Sequence, residues 1–156
     1  KDEEMIVEMI PLAMGAILVV AMLLEIKTGR IPNWLTVLPF VLFAVLLFVS
    51  DDLTPLYWQL ALALGVFVFG IIMFAIGGSG AGAVKLMTGT ALFIPLSNAL
   101  LAAVIFFLVF FFSSFVFVQI RKAFGSEDSS WHLMANAVIP LSFSIGVAGL
   151  TGMFLQ

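Results

Sequence analysis

Two short stretches carry the residues that could do chemistry. Leu24-Glu25-Ile26-Lys27-Thr28-Gly29-Arg30-Ile31-Pro32-Asn33-Trp34 sets a carboxyl group at the end of an apolar run and follows it with two cations. Gly77-Gly78-Ser79-Gly80-Ala81-Gly82-Ala83-Val84-Lys85-Leu86 concentrates glycine at mid-chain and holds the only charge between Asp52 and Arg121. At the edge of an apolar phase, Glu25 is either an acid kept for proton transfer or an anchor neutralised by Lys27. The glycine stretch either lets backbone come close to an extended peptide or forms a flexible helix junction.

Nucleotide chemistry fails on spacing. A phosphate-binding loop needs Gly before its Lys and Ser or Thr after it, whereas Val84 and Leu86 flank Lys85. The run from Gly78 to Ala83 does fit G-x-G-x-x-A. That fingerprint requires a preceding strand and an acid about 20 residues on, and neither is offered. No nucleic-acid partner is expected. His132, beside Trp131 and near Glu127 and Asp128, has no second ligand close in sequence and reads as an interfacial anchor rather than a metal ligand. With no cysteine in the chain, disulfides and thiolate metal sites are excluded. No cofactor or metal is expected.

The elements that position these residues follow from composition. The chain has 156 residues, 63% hydrophobic and 10% charged, against about a quarter charged in a soluble domain. Charge-free runs cover 53–84, 86–120 and 129–156, that is 32, 35 and 28 residues. A bilayer core about 30 Å thick takes about 20 apolar residues as a helix, so the chain reads as a polytopic membrane protein. The alternation of an outer-membrane barrel is absent, which leaves helices.

The spacing predicts an all-α fold with six transmembrane helices in one domain, 1–156. Their approximate ranges are 5–24, 34–49, 56–76, 81–93, 97–120 and 133–155. The first reads as a retained span, irregular or interfacial around Glu8 and Pro11. The 35-residue run would reach about 52 Å as one helix, so it must break, and Ile94-Pro95-Leu96-Ser97-Asn98 is the turn-type cluster where it does. Pro32 is suited to the start of the second helix, where Asn33 can help cap it.

Six spans place Lys27, Arg30, Lys85, Arg121 and Lys122 on one face, opposite Asp51 and Asp52. Basic residues concentrate on the cytoplasmic side, which predicts a plasma (inner) membrane protein with both termini extracytoplasmic. The aromatic run 106–112 suits lipid contact. Ser113, Ser114, Gly65 and Gly70 read as close-packing positions.

Together the two stretches resemble the type IV prepilin peptidase family, the G-x-G-D intramembrane aspartic proteases. That family carries Asp, five residues, then Ile-Pro-Asn at the end of one helix, and Gly-x-Gly-Asp-Val-Lys-Leu at the start of a later one. Here Glu25 lies six residues before Ile31-Pro32-Asn33, and Gly80-Ala81-Gly82-Ala83-Val84-Lys85-Leu86 occupies the second motif. Ile139-Pro140-Leu141-Ser142-Phe143-Ser144-Ile145-Gly146 is similar to the family's last helix. The length resembles the compact class associated with Tad-type pilus systems.

The resemblance implies a prepilin-like peptide substrate cut at the cytoplasmic membrane face. Positions 25 and 83 would be the catalytic acids, facing each other across a cavity rimmed by Gly80 and Gly82. Lys85, Pro32 and Asn33 would complete the motifs. It says nothing of oligomeric state. Two carboxylates sharing one proton are the requirement of that chemistry. Glu25 is one methylene longer than the family's acid, and Ala83 cannot titrate. As written, the chain is expected not to hydrolyse peptides. Deliberate inactivation of a family member by placing Ala83 where the second acid belongs, and a natural pseudopeptidase that binds prepilins or assists assembly, both account for this. A small six-helix transporter or channel is the reading from a different class.

Overall fold

The computed structural model describes residues 2–125, 130–131 and 139–155, and these are entirely helical apart from turns. Among the described residues six α-helices follow in order: α1 Asp2–Thr28, α2 Asn33–Val49, α3 Thr54–Ala75, α4 Ala81–Ala91, α5 Ala99–Phe124 and α6 Leu141–Phe154. A single 3-10 turn, Leu96–Asn98, precedes α5 where the turn cluster was expected. His132, Glu127 and Asp128, read above as an interfacial group, lie outside the described residues, as do residues 133–138 of the expected sixth helix.

Among the described residues, three segments are long and apolar enough to cross a membrane: Met9–Thr28, Thr54–Ala75 and Leu96–Phe124. The expectation of six transmembrane helices is therefore only partly met. Helices α2 and α6 are shorter apolar helices of 17 and 14 residues. With 11 residues, α4 rises only about 16 Å, roughly half a bilayer core. Helix α1 runs unbroken through Pro11, without the expected irregularity. Proline removes one backbone donor, which a helix among apolar neighbours tolerates.

Local chemistry sets the ends. Gly29, at φ 68°, adopts the left-handed conformation that closes α1, and its N–H donates to the Glu25 carbonyl at 2.7 Å. Pro32 is the N-cap of α2, with Asn33 the first helical residue and no side-chain cap, so the capping role expected of Asn33 falls to backbone alone. Gly77, at φ 76°, ends α3, and the Gly78 N–H donates back to the Met73 carbonyl at 2.8 Å.

Helix α4 is the innermost element, packed against α2, α3 and α6. Its residues Ala83, Val84, Leu86, Thr88, Gly89, Thr90 and Ala91 are all buried. The two threonine hydroxyls donate to the Val84 and Leu86 carbonyls, each at 2.8 Å, which satisfies them without outside partners. Glycine makes the close approach possible. A Cβ on Gly89 would lie 2.7 Å from Pro39 Cβ, and one on Gly70 would lie 2.7 Å from Val84 Cγ1. Gly70 is thus the close-packing position expected of it. Gly65 is not, since nothing stands within 4 Å of its would-be Cβ.

Three contacts fix the helix directions. The end of α1 meets the start of α6 through Glu25 and Ser142, and the starts of α2 and α4 meet through Asn33 and Lys85. At the other end, Asn98 donates to the carbonyls of Gly152 and Leu155, at 3.0 and 2.8 Å, which caps α6. Successive helices therefore alternate in direction. Lys27, Arg30, Lys85, Arg121 and Lys122 lie at one end of the bundle, with Asp51 and Asp52 at the other.

Candidate active site

The site assembles where the start of α6 meets the end of α1 and the start of α4. Pro140 is the N-cap of α6 and offers no side-chain acceptor, so the first amides of that helix need one from elsewhere. Glu25 supplies it. Its Oε2 accepts the Ser142 N–H at 2.7 Å, and the Ser142 hydroxyl donates to the Ala21 carbonyl at 3.4 Å. A carboxylate here also meets the positive end of the α6 dipole. Ser142 is fully buried, and Gly146, one turn on, lies so close to Met22 that a Cβ would meet its Sδ at 2.7 Å. The partly buried Glu25 is thus locked between two tightly packed helices.

Ala83 is the third residue of α4 and is 6% exposed. It faces a small cavity of about 80 Å³, shared with Ser79, Met73 and Phe69 on one side and Phe110, Leu141 and Ile145 on the other. Glu25 is not among the residues lining it. Positions 25 and 83 are therefore joined through the first turn of α6, with Ser142 on the Glu25 side and Leu141 on the Ala83 side, rather than across one open cavity. The rim also differs from expectation. Gly78 and Ser79 line the cavity, whereas Gly82 packs on Ile31 and Gly80 has open space around it. A Cβ on Gly82 would come within 3.0 Å of the Ile31 carbonyl oxygen. Gly82 thus lets the α4 start sit directly on the segment that leads into Pro32.

Lys85 and Asn33 complete the link between the two stretches. Both are exposed, and Lys85 Nζ donates to Asn33 Oδ1 at 3.1 Å. Hence Glu25, Pro32, Asn33, Gly80, Gly82, Ala83 and Lys85 all gather at one end of the bundle. From the small cavity a larger apolar one, about 560 Å³, extends between α3 and α5 towards Trp58. Phe69, Met87, Phe106, Phe107 and Ile145 line both.

A model of the type IV leader peptidase family matches residues 12–118. The chain belongs to the type IV leader peptidase family. The match takes in Glu25, the Ile31-Pro32-Asn33 corner and the whole Gly80–Leu86 stretch, and ends before α6. No curated protein and no solved structure matches the chain. Membership agrees with the resemblance carried by the two motifs and with a substrate of the prepilin type in a membrane setting.

Two members of the site were not anticipated in their roles. Ser142 lies two residues after the proline at a helix start, a pattern that marks an N-terminus but gives no hint that the acceptor comes from position 25. Ser79 was hidden among glycines. Among the described residues there is no group of three side chains able to hold a metal ion.

Proposed function

We propose that the chain is a prepilin leader peptidase-type scaffold, related to the compact Tad-associated class, that binds pilin-precursor leaders at the cytoplasmic membrane face. In this reading it spans the membrane with six helical segments, keeps the cationic end in the cytoplasm and holds both termini outside. Positions 25 and 83 are the two acid positions, and the scaffold is catalytically silent because Ala83 replaces the second acid. The observation that carries the reading is the convergence of Glu25 and the buried Ala83 on the first turn of α6, within a chain of the leader peptidase family.

The chemistry follows from what is missing. One carboxylate must activate water while the other protonates the leaving amine, and one group cannot do both at once. Here Glu25 is committed to Ser142, and nothing at position 83 can exchange a proton. A natural pseudopeptidase that binds leaders or assists pilus assembly shares this geometry and differs only in history.

Restoration decides the matter. The chain, Ala83→Asp, and Ala83→Asp with Glu25→Asp are reconstituted in proteoliposomes with a pilin precursor, and cleavage is read by gel shift. No cleavage is expected from the chain itself. Ala83→Asp alone should cut weakly, because a displacement near 1 Å can cost about a hundredfold. The double variant should cut best, and its activity should fall at high pH as the pair loses the proton it shares. A double variant that folds, binds leader peptide and never cuts would overturn the peptidase reading and leave the assembly role.

A further inference from the structure

Buried hydroxyls are almost always hydrogen-bonded, and one left without a partner in apolar surroundings is destabilising. Ser79 is such a case. Its Oγ is closed off from solvent and has no partner among the described residues. It borders the same 80 Å³ cavity as the methyl group of Ala83. The rest of that cavity is apolar, walled by Phe69 and Met73 of α3, Phe106 and Phe110 of α5, and Leu141 and Ile145 of α6. The space exceeds the share of one water molecule, about 30 Å³, and so has room for a group larger than the methyl present.

We infer that Ser79 is a positioning residue for the site, its hydroxyl placed to donate a hydrogen bond to a carboxyl group carried at position 83. The inference rests on the assignment of position 83 to an acid but not on cleavage. Several features agree. Position 83 is the third residue of α4, whose N-cap, Gly80, gives no side-chain cap, and an acid at that place meets the positive end of the helix. Among the described residues, no titratable side chain lines the cavity. The nearest charged groups of the site are engaged elsewhere, Glu25 with the Ser142 N–H and Lys85 with Asn33. Ser79 is therefore the polar side chain available to such an acid within the cavity, and the segment just before α4 does more than turn the chain.

Two measurements on the full chain in detergent micelles test this. The first is a double-mutant cycle on thermal stability. In the chain as it stands, Ser79→Ala removes an unsatisfied hydroxyl and should leave stability unchanged or raise it. In the Ala83→Asp background the same change should lower stability, and Ser79→Thr should restore it. The second is the infrared band of the new carboxyl, isolated by subtracting the parent spectrum after ¹³C-aspartate labelling. That band should move when Ser79→Ala is added to Ala83→Asp and return with Ser79→Thr. Ala83→Asn, read by the same cycle, serves as host if Ala83→Asp does not fold. Additive effects of positions 79 and 83 with an unmoved band would overturn the inference. So would failure of both hosts to fold, since the cavity would then refuse a polar group. Neither readout needs proteolysis, so a silent double-acid enzyme would count against the peptidase reading without touching this one.

Discussion

Glu25 shows how one extra methylene redistributes a role. An aspartate at that place would end about 1.5 Å shorter, one carbon–carbon bond, whereas the longer side chain reaches the Ser142 N–H at 2.7 Å. It therefore caps α6 besides standing at one of the two proposed acid positions. The two roles separate by substitution. Glu25→Gln keeps an oxygen acceptor for the amide and should leave thermal stability in micelles nearly intact. Glu25→Ala leaves that amide unsatisfied and should cost about 1–3 kcal/mol, seen as a lower unfolding midpoint. The acid itself was legible in sequence, since it closes an apolar run beside Lys27. Its partner was not, because the two lie 117 residues apart and no periodicity links them.

At the scale of elements, glycines that look alike in sequence differ in what they permit. Gly89 holds α4 against the rigid ring of Pro39, with 2.7 Å for an added Cβ, while Gly80 has open space. Gly89→Ala should therefore lower the unfolding midpoint markedly, and Gly80→Ala should hardly move it, although only Gly80 belongs to the recognised motif. The start of α3 gives a pH-dependent counterpart. Asp52 Oδ1 accepts the Thr54 N–H at 2.9 Å, and this backbone bond holds the carboxyl below its ordinary value of 3.8. Its help to α3 is therefore present above that value and lost as pH falls through the lowered one. Being fully exposed, it acts weakly, and Asp52→Asn should remove that part of the acid dependence of stability. Helix existence and the break at Pro95 were readable from charge-free runs and turn residues. The shortness of α4 was readable too, expected over 81–93, but its last residue was not. Its end at Ala91 precedes the equally apolar and buried Leu92, Phe93 and Ile94, so hydrophobicity gives no stop signal.

Across the whole molecule, alternating helix directions gather five of the six lysines and arginines at one end, as the positive-inside pattern led us to expect. The chain has no cysteine, so single cysteines report orientation cleanly. Asp51→Cys in intact cells should react with a membrane-impermeant thiol reagent. Gly125→Cys should react only after the membrane is opened. The reverse pattern would invert the proposed orientation. What sequence could not supply at this scale is the path of the apolar cavity from Ala83 towards Trp58. It depends on α3 packing against α4 and α5 against α6, which leaves space between α3 and α5, and that is a property of the assembled bundle.

The one-sided distribution of cations has a further consequence, in the language of voltage. A living cell keeps its cytoplasm negative, and moving one elementary charge across a 100 mV membrane potential changes the energy by about 2.3 kcal/mol. Lys27, Arg30, Lys85, Arg121 and Lys122 sit together, with Asp51 and Asp52 at the far end, so a molecule inserted upside down would place nearly all of this charge against the field. The penalty is on the order of 10 kcal/mol. In the proposed orientation the bundle is in effect an electric dipole aligned with its own membrane. Energised vesicles should therefore take it up in one orientation, and vesicles with a collapsed potential should give a more mixed population.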